Sequence, residues 1–150
     1  MNSFTYIRDI ILYAMAVSAS PIQQDHSSPF IVVSSSRQGL LRSEVDVVAA
    51  LVGLTDKEMA FALNMTPRNL HRLRDDQRFS TDSSERLLLL KNLLLHAMDT
   101  FDGRKPTVLH WLRTPIWELA NQSPLQLLDT VTGFGLVDDV LGRLDYVLPA

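Results

Sequence analysis

A chain of 150 residues and 16.9 kDa is one domain or two small ones, and a single domain of that length buries roughly 68–70% of the surface its unfolded chain exposes. Apolar residues at 46% and charged ones at 21% exclude a disordered, collagen-like or coiled-coil chain, and zero cysteines exclude a disulfide framework, a thiol nucleophile and a thiolate metal site. With 14 Lys+Arg against 17 Asp+Glu the net charge is −3, so any nucleic-acid footprint has to be local; a reducing cytoplasm fits the composition.

The chain opens on an apolar segment, Phe4 to Ala19, whose unbroken run is only Ile10 to Val17. A membrane span needs about 20 apolar residues, so no membrane partner is expected. The stretch "AVSAS" has the small residues of a signal-peptide cleavage site. However, Asp9 follows Arg8 and leaves the start without net basic side-chain charge. The segment reads instead as an amphipathic helix docking on the body or on a second copy of it. Ser18 to Ser36 mixes Ser, Gln and Pro around "PFIVV" and reads as a linker holding one short strand or extended arm. Residues 1–36 are thus expected to form an N-terminal helix or arm and linker.

The rest reads as helices, about six to eight between Gln38 and Leu144, in an all-α fold. Residues 37–78 carry seven Arg/Lys against six Asp/Glu, and residues 79–150 carry six against nine. The most informative stretch is "LTDKEMAFALNMTPRNLHRLRDDQRFS". Thr55 and Glu58 have the spacing of a capping box. They start a short helix whose Met59, Ala60 and Leu63 point inward. Asn64 tolerates the left-handed conformation that ends helices. Thr66 caps a second helix with Pro67 in its first turn. Leu70 and Leu73 share its inner face, leaving Arg68, Asn69, His71 and Arg72 outward. Two short helices, a tight turn and a polar second helix describe a helix-turn-helix, with the second helix as candidate reader of the major groove. Arg68, Asn69 and Arg72 suit base edges, and Thr66 and Arg74 suit phosphates. The competing reading is an ordinary helical hairpin with solvated arginines, and Asp75 and Asp76 count against a long phosphate-tracking face.

Ser80 or Asp82 caps the next helix. Seven of the nine residues from Leu87 to Leu95 are leucine. One stripe runs Leu87, Leu90, Leu94, Ala97, Met98 and Phe101, while Leu88, Leu89, Leu93 and Leu95 lie outside it. A helix apolar on most of its surface is covered on several sides. In so small a chain a homodimer seam over Leu87, Leu90, Leu94 and Met98 is the expected second cover. The helix-turn-helix and dimerisation unit spans 37–103, and 104–150 forms a second, small helical unit.

In that unit Pro106 opens a helix with Val108, Leu109, Trp111 and Leu112, and Arg113-Thr114-Pro115 ends it. Ile116, Trp117 and Leu119 make a short apolar turn. Ser123-Pro124 is another cap-plus-proline start. Gly133-Phe134-Gly135 reads as a turn, and Leu136, Val137, Val140, Leu141 and Leu144 have helical spacing. Asp145 to Ala150 reads as a loose tail, although Tyr146, Val147, Leu148, Pro149 and Ala150 are apolar or aromatic. They either fold back on the protein's own core or enter a partner's pocket.

The stretch "HWLRTPIWELANQSPLQLLDTVTGFGLVDDVLGRL" resembles the toxin-binding domain of the Xre/ParS/MbcA antitoxin family. It supplies Trp111, Leu112 and Pro115, then Ser123, Pro124, Leu127, Leu128, Gly133, Val137, Leu141 and Arg143. Upstream, the helix-turn-helix looks like that family's Xre-like domain, with Ser84-Glu85-Arg86 at its S-[DE]-R position. The resemblance covers about 110 residues, from Leu40 onward. The family's usual L-G-G turn is Leu119-Ala120-Asn121 here, and Val147 replaces the glycine that often follows the final tyrosine. The resemblance implies the Xre antitoxin of a RES–Xre type II toxin–antitoxin system. Such a protein neutralises a RES-domain toxin that consumes NAD and represses its own operon by binding operator DNA. The toxin-binding residues are then Trp111, Arg143, Asp145, Tyr146, Val147, Leu148 and Ala150, with the C-terminal end at the mouth of the toxin's NAD pocket.

Nothing points to an enzyme or a cofactor. His26, His71, His96 and His110 have no i, i+4 pairing, so a metal site is not expected. Asp138-Asp139 are adjacent on a helix and point in different directions, as a solvated face does. No P-loop, G-x-S-x-G or G-x-G-x-x-G is present. The alternative to an antitoxin is a stand-alone helix-turn-helix regulator with a C-terminal dimerisation or effector domain.

Overall fold

The computed structural model describes residues 28–148. The amphipathic helix expected over Phe4–Ala19, the first part of the expected linker and Ala150 lie outside the described residues. Among the described residues seven α-helices follow one another: α1 (Pro29–Gln38), α2 (Glu44–Ala50), α3 (Asp56–Ala62), α4 (Pro67–Arg72), α5 (Thr81–Thr100), α6 (Lys105–Arg113) and α7 (Val131–Val147). Two short 3-10 turns, Trp117–Leu119 and Pro124–Leu127, stand between α6 and α7. Among the described residues extended pairing is confined to isolated bridges, Leu41 with Arg78 and Ile116 with Gln122. The all-α expectation therefore holds.

The leucine run forms α5, the central post. Of the two expected caps, Ser80 is used: its hydroxyl accepts the Ser83 N–H at 3.3 Å. Asp82 instead sits 3.3 Å from Arg86, one turn on. Leucine favours the helix, and 20 residues give about 30 Å of axis. Helices α1, α2, α3, α6 and α7 all pack against it. Leu87, Leu90 and Leu94 keep no exposed surface, and Leu88 and Leu93 are buried too. Each such leucine contributes about 1.5–3 kcal/mol of burial. The chain thus covers five leucines of the run itself, while Leu89 and Leu95 stay half-buried.

The S-[DE]-R residues explain themselves here. Ser84 is fully buried and accepts the Leu40 N–H at 2.9 Å. Arg86, also buried, donates to the Asp129 carbonyl at 3.0 Å. One turn of α5 thus ties the segment before α2 to the segment before α7.

Three local expectations fail. The stretch "PFIVV" is not extended: it opens α1, with Ser28 in extended conformation ahead of Pro29. Pro suits a first helical turn, and Val32 and Ser36, one turn apart, are buried on this helix, which packs on α5. The β-branched composition favours a strand only where a partner strand exists; here the neighbour is a helix. The second failure is Gly133-Phe134-Gly135, which lies inside α7 rather than in a turn. Thr130 caps that helix by accepting the Gly133 N–H at 3.0 Å. The third is the tail, since α7 continues through Asp145, Tyr146 and Val147. Leu148 then leaves the helix with φ −77° and ψ 127°, as a residue before proline must.

The turn after Leu119 keeps a glycine-like backbone without glycine. Ala120 and Asn121 have φ of 54° and 61°. They close the bridge in which the Ile116 N–H reaches the Gln122 carbonyl at 3.1 Å. A left-handed residue with a Cβ costs about 1–2 kcal/mol, and Asn bears it better than Ala. Ala120→Gly should therefore stabilise the protein by about 1 kcal/mol and raise Tm by about 2–4 °C. An unchanged melting curve would show that this turn stores no strain.

Candidate functional site

The helix-turn-helix is built by local caps. The Thr55 N–H donates to Glu58 Oε2 at 2.8 Å, and the Glu58 N–H donates to Thr55 Oγ1 at 3.3 Å, completing the capping box. Asn64, with φ 54°, turns the chain after α3. Thr66 accepts the Asn69 N–H at 3.1 Å, and Pro67 occupies the first turn of α4. Met59, Ala60, Leu63 and Leu70 are buried and Leu73 is half-buried. Arg68, Asn69, His71 and Arg72 face solvent, as does Thr66. Arg74 lies beyond the end of α4, exposed and 3.3 Å from Asp76. An ion pair that exposed contributes under about 1 kcal/mol and leaves the guanidinium available to a phosphate.

Arg42 is a residue that the sequence did not flag. It is buried, donates Nε to the Leu70 carbonyl at 3.2 Å, and reaches Asp46 at 3.3 Å. It holds α4 from behind, while Arg68 and Arg72 face solvent with no acidic partner among the described residues. Nothing in the local sequence marks an inward arginine.

The C-terminal half presents a different surface. Trp111 is half-buried and tilted against Phe101, with ring centroids 5.7 Å apart and planes at 50°. It packs against Phe101 and keeps part of its surface open. Trp117, by contrast, is 80% exposed. Its neighbour Leu119 turns inward, and in that tight turn the tryptophan is left outside. Arg143 lies 3.3 Å from Glu118 in the same turn, joining α7 to it. Tyr146 is 94% exposed, and Val147 and Leu148 are exposed with it. They do not fold back onto the core.

Asp145 was expected to meet a partner, but it is engaged within the chain. Its carboxylate accepts the Thr100 hydroxyl at 2.6 Å and lies 2.7 Å from His96 Nε2. The other ring nitrogen of His96, Nδ1, lies 2.7 Å from Asp138. Asp138 is therefore not merely a solvated carboxylate. Burial opposes a charge on His96, yet the hydrogen bonds and charges of Asp145 and Asp138 outweigh it and raise its pKa. The Thr100 hydroxyl, then His96, hold the Asp145 carboxyl below its usual range.

A second tie joins the two halves. Arg113, the last residue of α6, donates Nε and Nη2 to the Glu58 carboxylate at 2.8 and 3.0 Å. Burial works against the Glu58 charge, but Arg113 and Thr55 prevail and lower its pKa.

Of the residues expected at a dimer seam, Leu87, Leu90 and Leu94 have no surface left for a second copy. Met98 is half-buried and lines a shallow groove with Val47, Ala50, Leu51 and Leu95. Among the described residues no cluster of three or more His, Asp or Glu could hold a metal. None of their helices is long and apolar enough to cross a membrane.

Residues 32–90 match the antitoxin Xre-like helix-turn-helix domain, and residues 96–146 match the antitoxin Xre/MbcA/ParS C-terminal toxin-binding domain. The chain is 32% identical over 117 residues to antitoxin Xre of Yersinia enterocolitica serotype O:8 / biotype 1B, covering 77% of this chain and 79% of that one. It is 32% identical over 69 residues to antitoxin Xre of Photorhabdus laumondii subsp. laumondii, 46% of this chain and 47% of that one. A Prs ADP-ribosylating antitoxin of Sphingobium sp. is 27% identical over 127 residues, 79% of this chain and 80% of the relative.

Proposed function

The chain belongs to the Xre antitoxin family, and from that premise we propose that it neutralises a RES-domain, NAD-consuming toxin with its C-terminal end and represses its own operon through α4. The observation that carries the toxin half is the exposed apolar row Tyr146, Val147 and Leu148 at the end of α7. Three consecutive apolar side chains held in water gain nothing there, and aromatic anchors dominate protein interfaces. The exposed Trp117, linked to the same helix through Glu118 and Arg143, extends the surface. The acidic balance of residues 79–150 favours a basic partner face.

The NAD reading draws support from the Sphingobium relative, whose name couples it to ADP-ribosylation, a transfer that takes ADP-ribose from NAD. Arg143, exposed near the end of α7, is a charge that a dinucleotide pocket can pair. The match to a toxin-binding domain supports an antitoxin over a stand-alone regulator.

The test replaces Tyr146, Val147 and Leu148 together by serine. These positions are exposed, so the melting temperature and operator binding should stay as in wild type. Rescue of cells that produce the cognate toxin should be lost or strongly weakened. Full rescue by the triple variant would move inhibition off this end, toward the Trp111–Leu128 surface.

A further inference from the structure

The end of α7 has little apolar anchorage. The buried residues of that helix are Gly133, Phe134, Val137, Val140 and Leu141, and Leu144 is half-buried. From Asp145 onward every described residue is exposed. A helix end without buried contacts frays. Two polar ties act there: Arg143 to Glu118, and Asp145 to α5.

The second tie has an unusual demand. Asp138 and Asp145 stand two turns apart on α7, each 2.7 Å from a different ring nitrogen of His96 on α5. Neutral imidazole carries one N–H and can donate to only one carboxylate. The other nitrogen would then set a lone pair against a negative oxygen. Only the imidazolium donates to both. Thr100, one turn after His96, adds its hydroxyl to Asp145 at 2.6 Å.

We propose that His96, with Thr100, Asp138 and Asp145, forms a proton-dependent clamp that fixes the last turns of α7 on α5 and so positions Tyr146, Val147 and Leu148 for the partner. The positioning role rests on the reading of this end as toxin-binding; the clamp itself does not. His96 and Asp145 are positioning residues, since their own polar atoms are taken up within the chain. A segment already ordered before binding loses less freedom on binding.

The charged groups acting on His96 are Asp138 and Asp145, both on α7. Among the described residues the ion pairs of His96 within 4 Å are with these two carboxylates, and none comes from the other helices packed on α5, which are α1, α2, α3 and α6. The pH window follows from the directions. The folded His96 value is raised above 6.5, so the clamp is fully closed below that pH and opens as pH rises through the folded value. On the acid side the His96–Asp145 contact holds until Asp145, whose carboxyl is depressed below 3.8, takes up a proton.

The test begins with the antitoxin alone. Ring-nitrogen NMR follows His96, and amide-exchange protection factors follow residues 142–148, both across the neutral to alkaline range. Wild type should show both ring nitrogens protonated at the acid end. Protection at the end of α7 should fall along the His96 titration. His96→Ala and, separately, Asp145→Asn should give low protection that no longer follows pH, with the rest of α7 unchanged. Unchanged protection in both variants, or wild-type protection that ignores the His96 titration, overturns the clamp. With purified toxin, His96→Ala should weaken binding by roughly two- to tenfold and flatten its pH dependence, the scale of ordering one or two side chains. Equal affinity and an equal pH profile overturn the positioning role. Failure of the toxin reading is seen separately, in the triple-serine protein.

Discussion

Gly133→Ala should lower the stability of the protein by more than about 3 kcal/mol, a drop in Tm of roughly 6–12 °C or more at this chain length. A Cβ at position 133 would lie 1.7 Å from the Leu127 carbonyl oxygen and 2.7 Å from its carbon. It would also lie 2.9 Å from the Thr130 hydroxyl that caps α7. A flexible side chain could rotate away, but a backbone carbonyl in a short 3-10 turn cannot. Either α7 shifts on α5 or the cap breaks, and both disturb the packing of buried Phe134 and Val137. Gly135 and Gly142 are the matched controls, since nothing stands within 4 Å of a Cβ added at either. Alanine there should be neutral or stabilising by up to about 1 kcal/mol, because alanine favours a helix interior. A Gly133→Ala protein that melts with wild type would mean that this close approach does not hold the C-terminal half together.

That glycine shows what the sequence could carry and what it could not. Caps are local chemistry within three or four residues. Thr55 with Glu58, and Thr66 with Pro67, therefore announced α3 and α4 correctly, and the helix-turn-helix with them. The family pattern placed Gly133, Ser84 and Arg86 in order along the chain. Their purpose appears only where Leu127, Leu40 and Asp129 arrive beside them from elsewhere. The leucine run correctly implied a helix covered on several sides, but the number of its partners is a property of the fold. Five helices of the same chain cover most of it, Leu87, Leu90 and Leu94 included. The stretch "PFIVV" misled because β-branched residues favour strands in general, while the surface available to them here is α5. In the C-terminal half the signal was exposure, and sequence does not report exposure. It favoured Trp111, which packs on Phe101, over Trp117, which faces solvent. It offered Asp145 to a partner, because His96 lies 49 positions away and nothing local joins them.

Operator binding should fall by about 2–6 kcal/mol, roughly 30-fold to 10⁴-fold, when Arg68 and Arg72 are both replaced by alanine. The two residues lie one turn apart on the exposed side of α4, and neither pairs with an acidic side chain among the described residues. Their guanidinium forks are free to take two acceptors on a guanine edge, a contact worth about 1–3 kcal/mol each. The helix that presents them does not depend on them. Its start is held by Thr66 and Pro67, its inner face by Leu70, and its last turn by Arg42. The folded protein should therefore change in stability by less than about 0.5 kcal/mol. Arg74 separates the two kinds of DNA contact. Arg74→Ala should weaken binding by a similar factor on specific and random DNA and reduce the salt slope by about 1, as loss of one phosphate contact does. The Arg68 and Arg72 pair should instead erase the preference for the operator over random DNA. Toxin neutralisation should survive in the double variant, because α7 and the turn at Trp117 are untouched; the tie from Glu58 to Arg113 also stays intact. If the double variant shifts its own promoter fragment as wild type does, α4 is not the reading helix, and the outward arginines are a solvated face.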